Sequence, residues 1–189
     1  MSMTRPMISI LIFAFMGFFL MACEPEEKEE AKMPMTWQDK FIQELPSLGH
    51  RNWVVVADAA FPLQISPGME VVVSREDHFV VLEKVLKAIG ESRHIRPKIY
   101  LDRELEFVSE DLAPGIDACR KKLNGMLQGQ DVKPVLHEEL IARMDQIAKV
   151  FKILMIKTDL TLPYTSVFME LDCGYWSPES EAKMREKMR

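Results

Sequence analysis

The chain has 189 residues, 48% of them hydrophobic and 28% charged, and its formal net charge is −5 at pH 7. That balance is ordinary for a soluble globular domain, and without a basic stripe it argues against nucleic acid as a partner. Three cysteines make no disulfide scaffold, and with neither CxxC nor a dense His/Cys/Asp cluster no metal and no cofactor is expected.

Residues 1–22 carry one basic residue, Arg5, ahead of the apolar run ISILIFAFMGFFLMA. As a helix that run reaches about 22 Å, short of the roughly 30 Å hydrocarbon core, so it reads as an export signal. Leu20-Met21-Ala22-Cys23 looks like a bacterial lipobox, cleaved before Cys23, which is then lipidated. The expected product is an exported lipoprotein, anchored to the membrane by its N-terminal lipid on the periplasmic or cell-surface side. Residues 23–35 are acidic and apolar-poor, and they read as a solvated tether that buries too little surface to offset its ordering entropy. One domain over 36–176 and a charged tail over 177–189 complete the chain.

Within that domain, TWQDKFIQELPSLG reads as a short helix capped by Thr36. NWVVVADA is a continuous β-branched run of the kind buried on both faces of a parallel or mixed sheet. After the breaker-rich FPLQISPG, MEVVVS is a short strand, and DHFVVLEKVLKAIGES a helix capped by Asp77. KIYLDRE is a strand, SEDLAPGIDACRKKLNGML holds a helix, and VKPVLH is briefly extended. The apolar spacing Leu140, Met144, Ile147, Val150, Phe151 predicts a helix that gives way to a strand through KILMIKT. TLPY turns the chain, SVFMELDC is the last strand, and the tail is a frayed helix. Strands alternating with helices predict a single three-layer α/β/α domain around a mixed or parallel sheet. Cys119 and Cys173 are expected as free thiols.

No nucleotide-binding, serine-hydrolase or zinc-protease motif is present. The remaining chemistry sits at strand ends. His50 precedes the first core strand and Asp58 ends it, and the carboxyl ends of strands in open α/β sheets are where ligands commonly bind. Spacing alone also allows a plainer reading, in which Asp58 caps a turn and His50 meets a loop carbonyl. His137 begins the long helix, and Tyr164, Thr165 and Ser166 lie before the last strand. His78 and His94 read as structural or solvated, and Trp53 as core.

The stretch LGHRNWVVVADAAFP resembles the opening signature of the ribose pyranase and fucose mutarotase family (RbsD/FucU). Gly49-His50, the strand Trp53–Ala57, Asp58-Ala59 and Phe61-Pro62 match at the same spacing. ILMIKTDLTLPYTSVFMELDCG is similar to that family's apolar strand, polar turn, Pro-Tyr-x-Asn and final strand, so the likeness runs from about Phe41 to Trp176. The resemblance implies a mutarotase or pyranase that interconverts anomeric or ring forms of a free monosaccharide. It implies His50 as proton donor, with Asp58, Tyr164, Thr165, Ser166 and His137 touching the sugar, and a ring-like homo-oligomer with sites at subunit contacts. General acid–base catalysis by a histidine suits the reaction and needs no cofactor. The sequence departs from the pattern at Ser166, where the family has Asn. It departs also at Asp159-Leu160, in place of Gly-Glu, and at Leu140, in place of an aromatic. A sugar-binding lipoprotein without turnover, or a structural lipoprotein, are the alternatives.

Overall fold

A capping box starts the first helix, α1 (Trp37–Glu44). Thr36 Oγ1 accepts the Asp39 N–H at 3.1 Å, and Asp39 Oδ2 accepts the Thr36 N–H at 3.2 Å. The reciprocal pair satisfies donors that helix entry leaves without intrahelical partners. The computed structural model describes residues 35–189; the expected signal segment, the lipidation site Cys23 and the tether through residue 34 lie outside the described residues.

Among the described residues six strands follow: β1 (Trp53–Ala57), β2 (Met69–Val73), β3 (Ile95–Asp102), β4 (Val132–Val135), β5 (Ile153–Lys157) and β6 (Val167–Cys173). They form a mixed sheet in the order β2-β5-β1-β6-β3-β4. β5 runs parallel to both β1 and β2, and β3 parallel to β4, while β6 is antiparallel between β1 and β3. Four more helices are α2 (His78–Glu91), α3 (Ile116–Met126), α4 (His137–Ile147) and α5 (Pro178–Glu186).

Successive strand side chains point to opposite faces, which assigns the layers. Val54 and Val56 of β1 pack with Phe41 of α1, Val81 and Val85 of α2, and Leu123 of α3. Trp53 and Val55 face the other way, against Leu140 and Met144 of α4. All five β1 residues are therefore buried, as a strand covered on both faces requires. The three-layer α/β/α expectation describes the fold.

Three local outcomes depart from the sequence patterns. β3 starts at Ile95 rather than Lys98 and so contains Pro97. β4 covers only Ile99–Asp102, so the edge beside Pro97 is open and a missing N–H is tolerated there. Helix α4 stops at Ile147 and leaves Val150 exposed. The loop before β2 docks on that helix end: Gly68 N–H donates to the Ala148 carbonyl at 2.7 Å, and a Cβ on Gly68 would run into the Ala148 and Phe151 carbonyl oxygens. The tail is a capped helix rather than a frayed one, since Ser177 Oγ accepts the Ser180 N–H at 3.1 Å and Pro178 takes the first position. Cys119 and Cys173 are free.

Candidate active site

β1 separates two polar constellations. Asp58 follows its carboxyl end and His50 precedes its amino end, and five strand residues at about 3.3 Å each hold them roughly 17 Å or more apart. Within one chain these two residues do not share a site.

At the carboxyl end, Asp58 is buried and engaged on both sides. Its Oδ1 accepts the Ala60 N–H at 2.9 Å, closing the turn that ends β1. Ser166 Oγ donates to Asp58 Oδ2 at 2.8 Å and accepts the Asp58 N–H at 3.1 Å. β1 and β6 are neighbours in the sheet, which is why residues 108 apart in sequence meet. Beside them is a cavity of about 170 Å³, lined by Asp58, Phe61, His137, Pro163 and Tyr164 among others. Tyr164 enters that wall from a left-handed backbone (φ 59°), a conformation costly for a bulky side chain and concentrated at functional sites. Its ring stands edge-on to His137 with centroids 5.5 Å apart.

His137 is aimed by two carboxylates from the exit of β3. The start of α4 lacks a side-chain cap of its own, and Glu104 supplies one from outside, accepting the His137 N–H at 3.1 and 3.0 Å. Asp102 Oδ1 lies 3.1 Å from His137 Nδ1. Asp102 is 2% exposed, and its Oδ2 has no hydrogen-bond partner among the described residues. Burial pushes its carboxyl up to about 6; the adjacent imidazole pulls it back in part, and the Glu104 and Asp58 charges add to the rise. An ionised Asp102 accepts the Nδ1–H of His137 and leaves Nε2 as the nitrogen free to exchange a proton.

A second histidine lies beneath this end. His78 is 1% exposed, with Nδ1 2.9 Å from Thr158 Oγ1. The Thr158 hydroxyl donates to the Ala57 carbonyl at 2.9 Å, so its oxygen accepts from His78 Nδ1–H and the His78 Nε2 carries the lone pair. That Nε2 has no partner among the described residues. Burial drives the imidazole down to about 4, against the opposing pull of Asp58 and Asp77, and so keeps it neutral.

At the amino end, His50 is half exposed, and its Nδ1 lies 3.0 Å from Asp172 Oδ1. Arg96 Nη2 and Lys98 Nζ approach Asp172 Oδ2 at 2.9 and 3.1 Å. Burial alone would raise the Asp172 carboxyl, but hydrogen bonds from Arg96, Lys98 and the Cys173 N–H overcome it and hold the group well below the usual carboxylate range. An Asp172 that is ionised throughout the neutral range therefore orients the His50 ring. The cavity beside it measures about 560 Å³.

Of the residues singled out from sequence, Asp58, His137 and Tyr164 line one cavity. Thr165 and Ser166 lie beneath it, fully buried: Thr165 Oγ1 donates to the Leu162 carbonyl, and Ser166 is committed to Asp58. His50 stands apart. Sequence reasoning missed Asp102, Glu104, Asp172 and Arg96, and it left His78 as structural or solvated. Asp102 alone had a usable signal, because it ends its strand as Asp58 ends β1. Among the described residues no group of three or more His, Cys, Asp or Glu side chains is arranged to hold a metal ion.

Comparison with known proteins identifies the family and the fold. Residues 34–173 match the model of the RbsD / FucU transport protein family. The fold is similar to that of Bacillus subtilis RbsD, solved with D-ribose, at TM-score 0.53 and 16% identity over 75% of this chain and 97% of that one. It is similar also to the fucose mutarotase of Streptococcus pneumoniae, solved with L-fucose, at TM-score 0.50 and 17% identity over 70% and 91%. No curated protein matches the chain significantly.

Proposed function

From the premise that this chain belongs to the RbsD / FucU family, we propose that it interconverts the anomeric or ring forms of a free monosaccharide by general acid–base catalysis. One observation carries the reading: Asp58, Tyr164 and a carboxylate-oriented His137 line a single cavity at the carboxyl end of β1. Opening a sugar ring requires a proton delivered to the ring oxygen as the bond from that oxygen to the anomeric carbon breaks. A second proton leaves the anomeric hydroxyl, whose oxygen becomes the carbonyl. Reclosure on the opposite face, or through another hydroxyl, reverses both transfers.

His137 Nε2 suits the removal of the hydroxyl proton, with Asp102 steadying the resulting charge at Nδ1. Asp58 binds a sugar hydroxyl, and the Tyr164 ring covers the sugar. His50 serves as the proton donor, and because β1 holds it far from Asp58 it comes from a neighbouring protomer, in a homo-oligomer with composite sites. The protein works as an exported lipoprotein tethered through Cys23.

Saturation-transfer NMR on ribose, fucose, galactose and related sugars tests this. The protein should speed exchange for at least one of them. Asp58→Asn, His137→Ala and His50→Ala should each lower that rate, the histidine changes by about 10²–10⁴-fold. Exchange rates unchanged across the whole panel would sink the proposal. A second reading, sugar binding without turnover, draws support from Ser166, whose hydroxyl occupies an Asp58 oxygen that a sugar would otherwise use. Saturable ligand shifts without any accelerated exchange would favour it.

A further inference from the structure

The family match ends at residue 173, yet the chain continues and builds a wall at the His50 end of the sheet. Gly174 sets its direction. Its N–H donates to the His94 carbonyl at 3.0 Å, and a Cβ there would meet the Arg93 and Ile95 carbonyl oxygens at 2.7 and 2.8 Å. Only glycine fits, and the chain leaves β6 along one path. Arg96, already on Asp172, also donates to the Trp176 carbonyl at 3.3 Å. The Trp176 indole N–H donates to Glu181 Oε2 at 2.8 Å, and Arg185 holds the other Glu181 oxygen at 2.7 Å.

Helix α5, so capped and stitched, buries no residue. Its packing therefore adds nothing to the core. What it achieves is placement: Trp176 is held at 42% exposure and Tyr175 stands at 79%, both on the wall of the 560 Å³ cavity that His50, Arg96, Asp172 and Glu181 also line. With its Nδ1–H committed to Asp172, His50 keeps Nε2 free at that cavity. Aromatic faces with a few convergent polar groups are what small-ligand sites present. A pyranose offers the complement, an apolar C–H face and an edge of hydroxyls.

We propose that the segment after Cys173 is a sugar-selectivity element, in which Trp176 and Tyr175 form the face against which a monosaccharide packs when it engages His50. This rests on the mutarotase reading and adds to it the residues that choose among sugars. They belong to a part of the chain beyond the family match.

Tryptophan emission offers a direct probe. The chain has three tryptophans, and Trp37 and Trp53 are buried, which leaves Trp176 as the one a sugar can reach. The purified full-length protein, titrated with each sugar of the panel, should show a saturable emission change that is lost in Trp176→Phe. Trp176→Ala and Tyr175→Ala should alter the ratio of exchange rates between the best and next-best sugars by about tenfold, the scale of discrimination expected from one apolar contact face. The urea-unfolding midpoint should be unchanged, since neither ring belongs to the core. Wild-type exchange with a sugar profile that both alanine variants reproduce would overturn this inference and leave the mutarotase reading standing. A wild type that neither exchanges nor responds to any sugar would remove both.

Discussion

The two ends of β1 treat a carboxylate–imidazole pair in opposite ways. At the carboxyl end Asp102 is buried, and among the described residues one of its oxygens is unpartnered and no lysine or arginine pairs with it, so its proton is held up to about 6. At the amino end Asp172 is also mostly buried, though less deeply, and is met by Arg96 and Lys98, so it stays ionised below the usual carboxylate range. Burial penalises charge in both places, and the fixed cations decide the sign of the outcome. One pair keeps a titratable proton within reach of a cavity; the other fixes a charge that only orients its histidine.

The sharpest way to break the contrast is at Ser166. Ser166→Ala strips Asp58 of a buried donor on its carboxylate and a buried acceptor for its N–H. The loss should be about 2–4 kcal/mol, read from urea unfolding. A loss below about 1 kcal/mol would mean that the carboxyl end is wetter than its burial implies.

The pH dependence of stability sharpens it next. The folded Asp102 value of about 6 lies above its ordinary 3.8, so the fold binds the extra proton between those values and loses stability as pH rises from about 4 to 6. His78 runs the other way. Its folded value of about 4 lies below 6.5, so the unfolded chain binds the extra proton and stability is lost as pH falls from about 6.5 to 4. The two contributions oppose each other, and the wild type should be nearly level across that window. Asp102→Asn should leave a stability that declines toward acid, and His78→Gln one that declines toward neutrality. Parallel slopes in both variants would contradict the assignment.

The smallest effect belongs to the amino end. Asp172→Asn should cost only about 1 kcal/mol near neutrality, because its cations remain partly solvated. Asp172 is depressed below its ordinary 3.8, so its stabilisation is present above that value and fades as pH falls below it. The variant should therefore lose less stability than the wild type on acidification below about pH 4. Equal acid sensitivity would show that the Arg96 and Lys98 contacts do not stabilise the fold.

Much of this was legible in the residues. Thr36 with Asp39 and Asp77 before His78 are caps whose signal lies within three positions of the element they start. The β-branched run Trp53–Ala57 announces a strand buried on both faces because only such a strand tolerates that composition. The end of α4 was not legible, since the apolar spacing continues through Phe151 while the docking Gly68 that stops the helix comes from a distant loop. Asp172 was invisible for the same reason. In sequence it is an acid inside the last strand, one residue short of its end, and its partners Arg96 and His50 lie 76 and 122 positions away.

Local periodicity and capping chemistry thus set by themselves the elements, their alternation, and the placing of Asp58 just past the end of β1, because those signals act over a few residues. The tertiary structure decided that Asp58 meets Ser166 and shares a cavity with His137 and Tyr164, while His50 meets Asp172. The antiparallel entry of β6 beside β1 and β3 puts Ser166, at the start of β6, by Asp58 and carries Asp172, near its end, to His50. Burial there, with or without fixed cations, then sets what each carboxylate does to its histidine.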